Sequence, residues 1–126
     1  DHYVVTTRAL ILRMLNNLRN VYVANRVFPQ ALRVLEYMVV VEPRDPELWR
    51  DRGLLFMQNG RYLAAENDLR RYFVRRNRLH LFTDGLEIGV LERLGGVWEG
   101  NAAPTEEEQQ VLAVLSHIRD EIERVN

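Results

Sequence analysis

The chain has 126 residues, 47% of them apolar, and a formal net charge of −1. That suits one packed domain and argues against disorder and against a global pull toward nucleic acid or anionic membranes. It has no cysteine, which excludes disulfides, thiolate chemistry and cysteine-type zinc sites. No apolar run approaches the roughly 20 residues that span a bilayer, and a cytoplasmic protein is expected.

All 17 basic residues are arginine, and they are unevenly spread. Residues 1–80 carry 14 Arg against 8 Asp and Glu, whereas residues 81–126 carry 3 Arg against 10 acids. Such halves can pair within one fold or face different partners.

The pattern predicts helices throughout, because no stretch sustains a period-two alternation over several strands. Thr7 is the expected N-cap of the first helix, which places Leu12, Leu15, Leu18 and Tyr22 on one face. Pro29 can open a second helix, lined by Ala31, Leu32, Leu35 and Met38. "EPRDPE" at 42–47 breaks the chain, since Pro43 and Pro46 cannot continue a helix interior. A third helix is expected over about 47–58, a stop at Asn59-Gly60, and a fourth helix from about 62 to the mid-70s.

Asp84 with Glu87 forms a possible capping box for a short helix at about 85–94, apolar at Leu86, Val90, Leu91 and Leu94. "GGVWEGNAAP" reads as a loop. Thr105 with Glu108 is a second capping box, opening a last helix over about 105–125. That helix spaces Val111, Leu115, Ile118, Ile122 and Val125 by fours and threes, a narrow apolar stripe. The stripe can pack on the preceding helices, form a homodimer seam in place of a monomer, or lie in a groove.

The first four helices form two pairs offset by 34 residues. Leu15 maps to Trp49, Tyr22 to Phe56, Phe28 to Tyr62, Ala31 to Ala65 and Leu35 to Leu69. This period and pattern resembles the tetratricopeptide repeat. Residues 47–78 are the better copy, through Trp49, Gly53, Phe56, Gly60, Tyr62, Ala65 and Leu69. The earlier copy has Arg19 and Arg26 where the pattern has glycine, and Asn77 stands where the later copy would close with proline. The small residues Gly53 and Ala65 let two helices approach, and the aromatic residues fill the space beside the crossing.

The resemblance implies an all-α fold of tetratricopeptide-type antiparallel helix pairs. Repeat one covers about 12–45, repeat two about 46–78, and additional C-terminal capping helices lie at about 84–94 and 105–125. The whole of 1–126 is then a single helical-repeat domain. Two repeats fall below the usual minimum of about three, so the remaining residues must cap them. It also implies a concave groove for a protein or peptide, formed by the first helix of each repeat. That groove would present Arg13, Asn16, Asn17, Asn20 and Val23, then Glu47, Arg50, Asp51, Leu54, Met57 and Gln58. Asparagine amides can bond an extended peptide backbone, and Leu54 and Met57 can take an apolar side chain. Glu47 and Asp51 stand where carboxylate-gripping relatives carry basic groups, which disfavours an acidic chaperone tail.

"RMLNNLRNVY" and "DPELWRDRGLL" are further similar to the C-terminal region of bacterial SirB-type proteins, in which a transglutaminase-like domain precedes a short repeat segment. That resemblance implies that the chain is the C-terminal part of a larger protein. Its partner could then be its own upstream domain, with any enzyme-like site outside these residues.

Within the chain no catalytic constellation stands out, and neither cofactor nor metal is expected. His2, His80 and His117 are far apart, and Glu106, Glu107 and Glu108 suit a helix first turn. "RRYFVRRNR" at 70–78 is the one basic cluster, with Arg71, Arg75 and Arg78 set opposite Leu69, Tyr72 and Phe73, and Arg76 nearer the core. Near-neutral total charge and the lack of interleaved exposed aromatics make nucleic acid an improbable partner.

Overall fold

A computed structural model describes residues 6–84 and 103–125 of the chain. Six α-helices and their turns make up these residues, with no strand among them. The first helix, α1, spans Thr7–Ala24 and is capped one residue earlier than the sequence suggests. Thr6 Oγ1 accepts the Ala9 N–H at 3.1 Å, which leaves Thr7 as the first helical residue. A three-residue turn leads to α2, Phe28–Val41, with Pro29 in its first turn where no backbone donor is needed. Asp45 caps α3, Pro46–Gln58, by accepting the Glu47 N–H at 3.0 Å. The fourth helix, α4, spans Tyr62–Arg75.

The two turns inside the helix pairs are built alike. Arg26 and Gly60, 34 residues apart, both take the left-handed conformation, at φ 58° and 75°. Arginine at the first of these positions therefore keeps the turn that glycine makes in the second. Asn77 is also left-handed, at φ 59°. A proline ring fixes φ near −65° and could not stand there, which accounts for the missing closing proline. The chain turns at Asn77 and enters α5, Leu79–Asp84, directly. Asp84 is the last described residue of this stretch. The expected 85–94 helix and most of the following loop lie outside the described residues.

The last helix, α6, spans Glu106–Val125. Its capping box forms in both directions: the Glu108 N–H donates to Thr105 Oγ1 at 3.1 Å, and the Thr105 N–H donates to Glu108 Oε1 at 2.9 Å.

Helices α1 and α2 pair, α3 and α4 pair more closely, and α2 packs on α3 to stack the two units. Helices α3 and α4 cross closely at Gly53. A Cβ there would lie 2.8 Å from Leu69 Cδ2, 2.9 Å from Leu69 Cγ and 3.2 Å from Asp68 Cβ. Ala65, Leu69, Tyr72 and Phe73 are fully buried beside it, with the two rings edge-on at 5.0 Å. Trp49 is buried too and satisfies its indole by donating to the Pro43 carbonyl at 2.8 Å.

Helices α5 and α6 both pack on α4, and α6 also touches α3. Val111, Leu115 and Ile118 are buried in the same core as the repeats, and Ile122 packs against it. The α6 stripe is therefore taken up within the chain, so these residues cannot form a homodimer seam without leaving the core. No described helix is long and apolar enough to cross a membrane.

Candidate functional site

The concave side carries two adjoining depressions. One, of about 380 Å³, lies between α1 and α3 and is lined by Arg19, Asn20, Val23, Leu35, Asp51, Leu54, Leu55 and Gln58 among others. The second, of about 390 Å³, lies between α3 and α6, with Arg50, Glu107, Gln110, Val111 and Val114 around the shared Asp51 and Leu54. Helix geometry explains the grouping: Leu54 lies four residues after Arg50 and three after Asp51, and Gln58 four after Leu54, so they share one side of α3. Of the residues expected at the groove, Asn20, Val23, Asp51, Leu54 and Gln58 line the first depression, and Arg50, Asp51 and Leu54 the second.

Others of the expected set do not join them. Asn17 lies with Met14, Leu15, Leu18 and Val21 in a shallow apolar hollow on α1. Arg13 is exposed, as is Glu47, and neither lines either of these two depressions. Met57 is half-buried and packs against the core. Asn16 is committed inside the fold, accepting a hydrogen bond from Arg19.

Arg19 was not among the expected residues, yet it begins an ionic chain that crosses the molecule. Its guanidinium also donates to Asp51 Oδ2 at 3.0 Å and, at 3.4 Å, to Asn20 Oδ1. Arg50 donates to Asp51 Oδ1 at 2.9 and 3.1 Å and to Glu107 on α6. The Tyr72 hydroxyl donates to the other Glu107 oxygen at 2.5 Å. One turn-neighbour on, Glu108 accepts from Arg76 at 3.1 Å and from Arg78 at 3.2 and 3.3 Å.

These contacts fix the protonation states. Burial works against the charge on Arg50, but Asp51 and Glu107 outweigh it and raise the guanidinium's affinity for its proton. Burial likewise pulls the Glu108 carboxyl upward, yet the Thr105 N–H, Arg76 and Arg78 hold it below the usual carboxylate range. Tyr72 is held neutral far above the ordinary phenol range, first by burial and then by its bond to Glu107.

The expected basic face at 70–78 is thereby divided. Arg78 lies beyond the end of α4 and is drawn to Glu108, with its side chain only 15% exposed. Arg76 pairs with Glu108 as well, in keeping with its position nearer the core. Of the three arginines expected on that face, Arg71 and Arg75 remain exposed on α4, as does Arg70 beside them. Among the described residues no group of three or more His, Asp or Glu could hold a metal ion.

A family model described as a tetratricopeptide repeat matches residues 18–80. Two UPF0162 proteins, from Xylella fastidiosa strains 9a5c and Temecula1, are each 38% identical to this chain over 65 residues. The matched stretch covers 52% of this chain and 23% of each relative, so it spans about a quarter of their length. No solved structure matches.

Proposed function

The chain belongs to the tetratricopeptide repeat family, and from that premise we propose that it is a non-catalytic protein-interaction module whose concave groove receives an extended peptide segment. The depression between α1 and α3 carries this reading. Val23, Leu35, Leu54 and Leu55 give it an apolar lining, while the amides of Asn20 and Gln58 stand at its edge. Gln58 makes no side-chain hydrogen bond among the described residues and can donate and accept along a peptide backbone. Arg19 and Arg50 are matched by Asp51 and Glu107, which leaves no spare cation for a terminal carboxylate. The segment that fits is uncharged, with an apolar side chain seated near Leu54.

Selection of random 12-residue peptides by display tests the groove, using the chain itself and the variants Leu54→Arg and Asn20→Ala/Gln58→Ala. A consensus lost in Leu54→Arg supports the assignment. A consensus retained by both variants would sink it. Arg50 is a poor choice for such a test, because changing it releases Glu107 and disturbs the seating of α6.

A second reading rests on α1. No residue of α1 is buried, and Leu10, Ile11, Met14, Leu18 and Val21 are each at least 41% exposed. In a helical repeat such a face is ordinarily covered by a neighbouring unit. Together with the greater length of the relatives and the resemblance to SirB-type proteins, it supports a structural accessory role, with α1 docked on an upstream transglutaminase-like domain in the cytoplasm. Hydrogen exchange on the product of the full open reading frame is the discriminator. Protection of residues 10–21 that is absent in the 126-residue chain supports docking; equal exchange in both removes it.

A further inference from the structure

On the opposite side of α3 from the groove, arginines and aromatic rings alternate in a ladder. The Arg61 guanidinium carbon lies 4.7 Å from the Phe56 ring centre, and that of Arg52 lies 5.5 Å from the same ring. Arg52 is also 5.2 Å from the Trp49 ring centre, and Arg71 lies 5.5 Å from it. The ladder borders a cleft of about 390 Å³ between α2, α3 and the start of α4, which Arg33, Arg52, Phe56 and Arg61 line.

The charges along it are not balanced. Arg52 is spoken for, because it grips the buried Asp68 carboxylate at 2.7 and 2.8 Å. Arg33, Arg61 and Arg71 make no ion pair among the described residues. Glu36 lines the α2 side of the cleft and is likewise unpaired. It repels an anion from that side and leaves the α3–α4 side, with Arg61 and Arg71, as the attractive one. Stacking on Phe56 and Trp49 restrains these two guanidinia while leaving N–H donors at their edges for planar oxyanions.

We propose that this seam is a second docking surface, for an acidic segment of a partner protein that carries two carboxylate side chains three residues apart. The spacing comes from α3. Phe56 lies seven residues after Trp49, so at about 1.5 Å per residue the positions that hold Arg61 and Arg71 are about 10 Å apart along α3. A polyproline-II segment, with about three residues per turn and a rise of about 3.1 Å each, covers that span in about three residues and keeps both side chains on one face. A protein segment fits better than RNA, because both rings are already faced by guanidinia and Trp49 is only 9% exposed, leaving no open face for a base. The surface is separate from the groove and stands or falls independently of it.

Fluorescence anisotropy with the 126-residue chain tests the proposal. The probes are a labelled 12-residue peptide with glutamates three residues apart, its all-glutamine counterpart, and a labelled 12-nucleotide single-stranded RNA. The glutamate peptide is expected to bind about tenfold more tightly than the glutamine peptide. That preference should vanish in Arg61→Glu/Arg71→Glu, fade in Arg61→Gln/Arg71→Gln, persist in the groove variant Leu54→Arg, and weaken as salt rises. Equal binding of the two peptides overturns the proposal, as does undiminished binding by a folded double variant. RNA bound more tightly than the glutamate peptide, and lost with the same variants, overturns it in favour of a nucleic-acid surface. The peptide comparison on the unmodified chain decides the matter even where the Glu variants fail to fold, as judged by circular dichroism.

Discussion

Glu108 is where the seating of the last helix is most open to attack. Its side chain has no exposure, and three partners converge on it: the Thr105 N–H, Arg76 and Arg78. Glu108→Gln keeps the shape and an acceptor for the Thr105 N–H, but replaces a charge by an amide that cannot serve both arginines. Hydrogen bonds to charged groups contribute about 1.5–3 kcal/mol each, and breaking a buried ion pair costs about 3–5 kcal/mol. Arg78 and Arg76 keep 15% and 30% side-chain exposure and can recover some hydration, which argues for a loss nearer ~2–3 kcal/mol. For a chain of this length each kcal/mol moves the melting temperature by about 3–5 °C, so a fall of about 6–15 °C is expected. The pH dependence is a second signature. A carboxyl whose folded pKa is depressed stabilises above its unfolded value, near ~4.3, and that contribution disappears as pH falls through the folded value. Thermal unfolding followed by circular dichroism at pH 7 and down to pH 3 should show the wild type losing a component that the variant lacks. A melting temperature unchanged within 2 °C, or parallel pH profiles, would refute the argument.

Three further outcomes follow from single residues. Gly53→Ala gains about 1 kcal/mol of helix propensity but pushes a methyl to 2.8 Å from the buried Leu69; overpacking of about 1–3 kcal/mol should win, lowering the urea midpoint. Arg26→Gly relieves a left-handed residue at φ 58°, an expected gain of about 0.5–1 kcal/mol after the greater freedom of the unfolded chain is subtracted; a loss in the same urea assay would contradict the turn geometry. Tyr72→Phe removes the donor to Glu107 and should cost about 1–2 kcal/mol at pH 7. Because the folded phenol is held neutral, this contribution is complete below about pH 10 and declines above it. The gap between wild type and Tyr72→Phe should therefore narrow in alkaline melts, and a constant gap would count against the buried bond.

The repeat itself was legible because its positions are dictated by volume. Gly53 and Ala65 must be small where helices cross, and Trp49 and Tyr62 must be large beside them, so the 34-residue period shows through the chain. The capping box of α6 was legible for the same reason: Thr105 and Glu108 are neighbours in sequence and answer a local need. Helix α5 was not legible, because it starts from the left-handed turn at Asn77, a backbone conformation that no local sequence pattern announced. The lining of the two depressions was legible only in part. Asn20, Leu54 and Gln58 follow from the helical face, but Asn17 rotates onto the apolar side of α1 and Met57 against the core.

What no local pattern carried was the pairing of distant charges. Arg19 read as a departure from glycine, and Glu107 as a first-turn acid favoured by the helix dipole. In the fold they are ends of one run, Arg19–Asp51–Arg50–Glu107, that ties α1 to α3 and α3 to α6. The asymmetry between a basic first part and an acidic last part finds its physical meaning here, since Arg50, Arg76 and Arg78 from the first part hold Glu107 and Glu108 from the last. Two repeats need a cover, and the apolar stripe of α6 supplies the area. The acids of its first turn supply the register, because a shift of one residue would turn Glu108 away from both arginines and strand a buried carboxylate. The groove and the cap therefore share Arg50 and Asp51, and any ligand that draws Arg50 away must do so against Glu107.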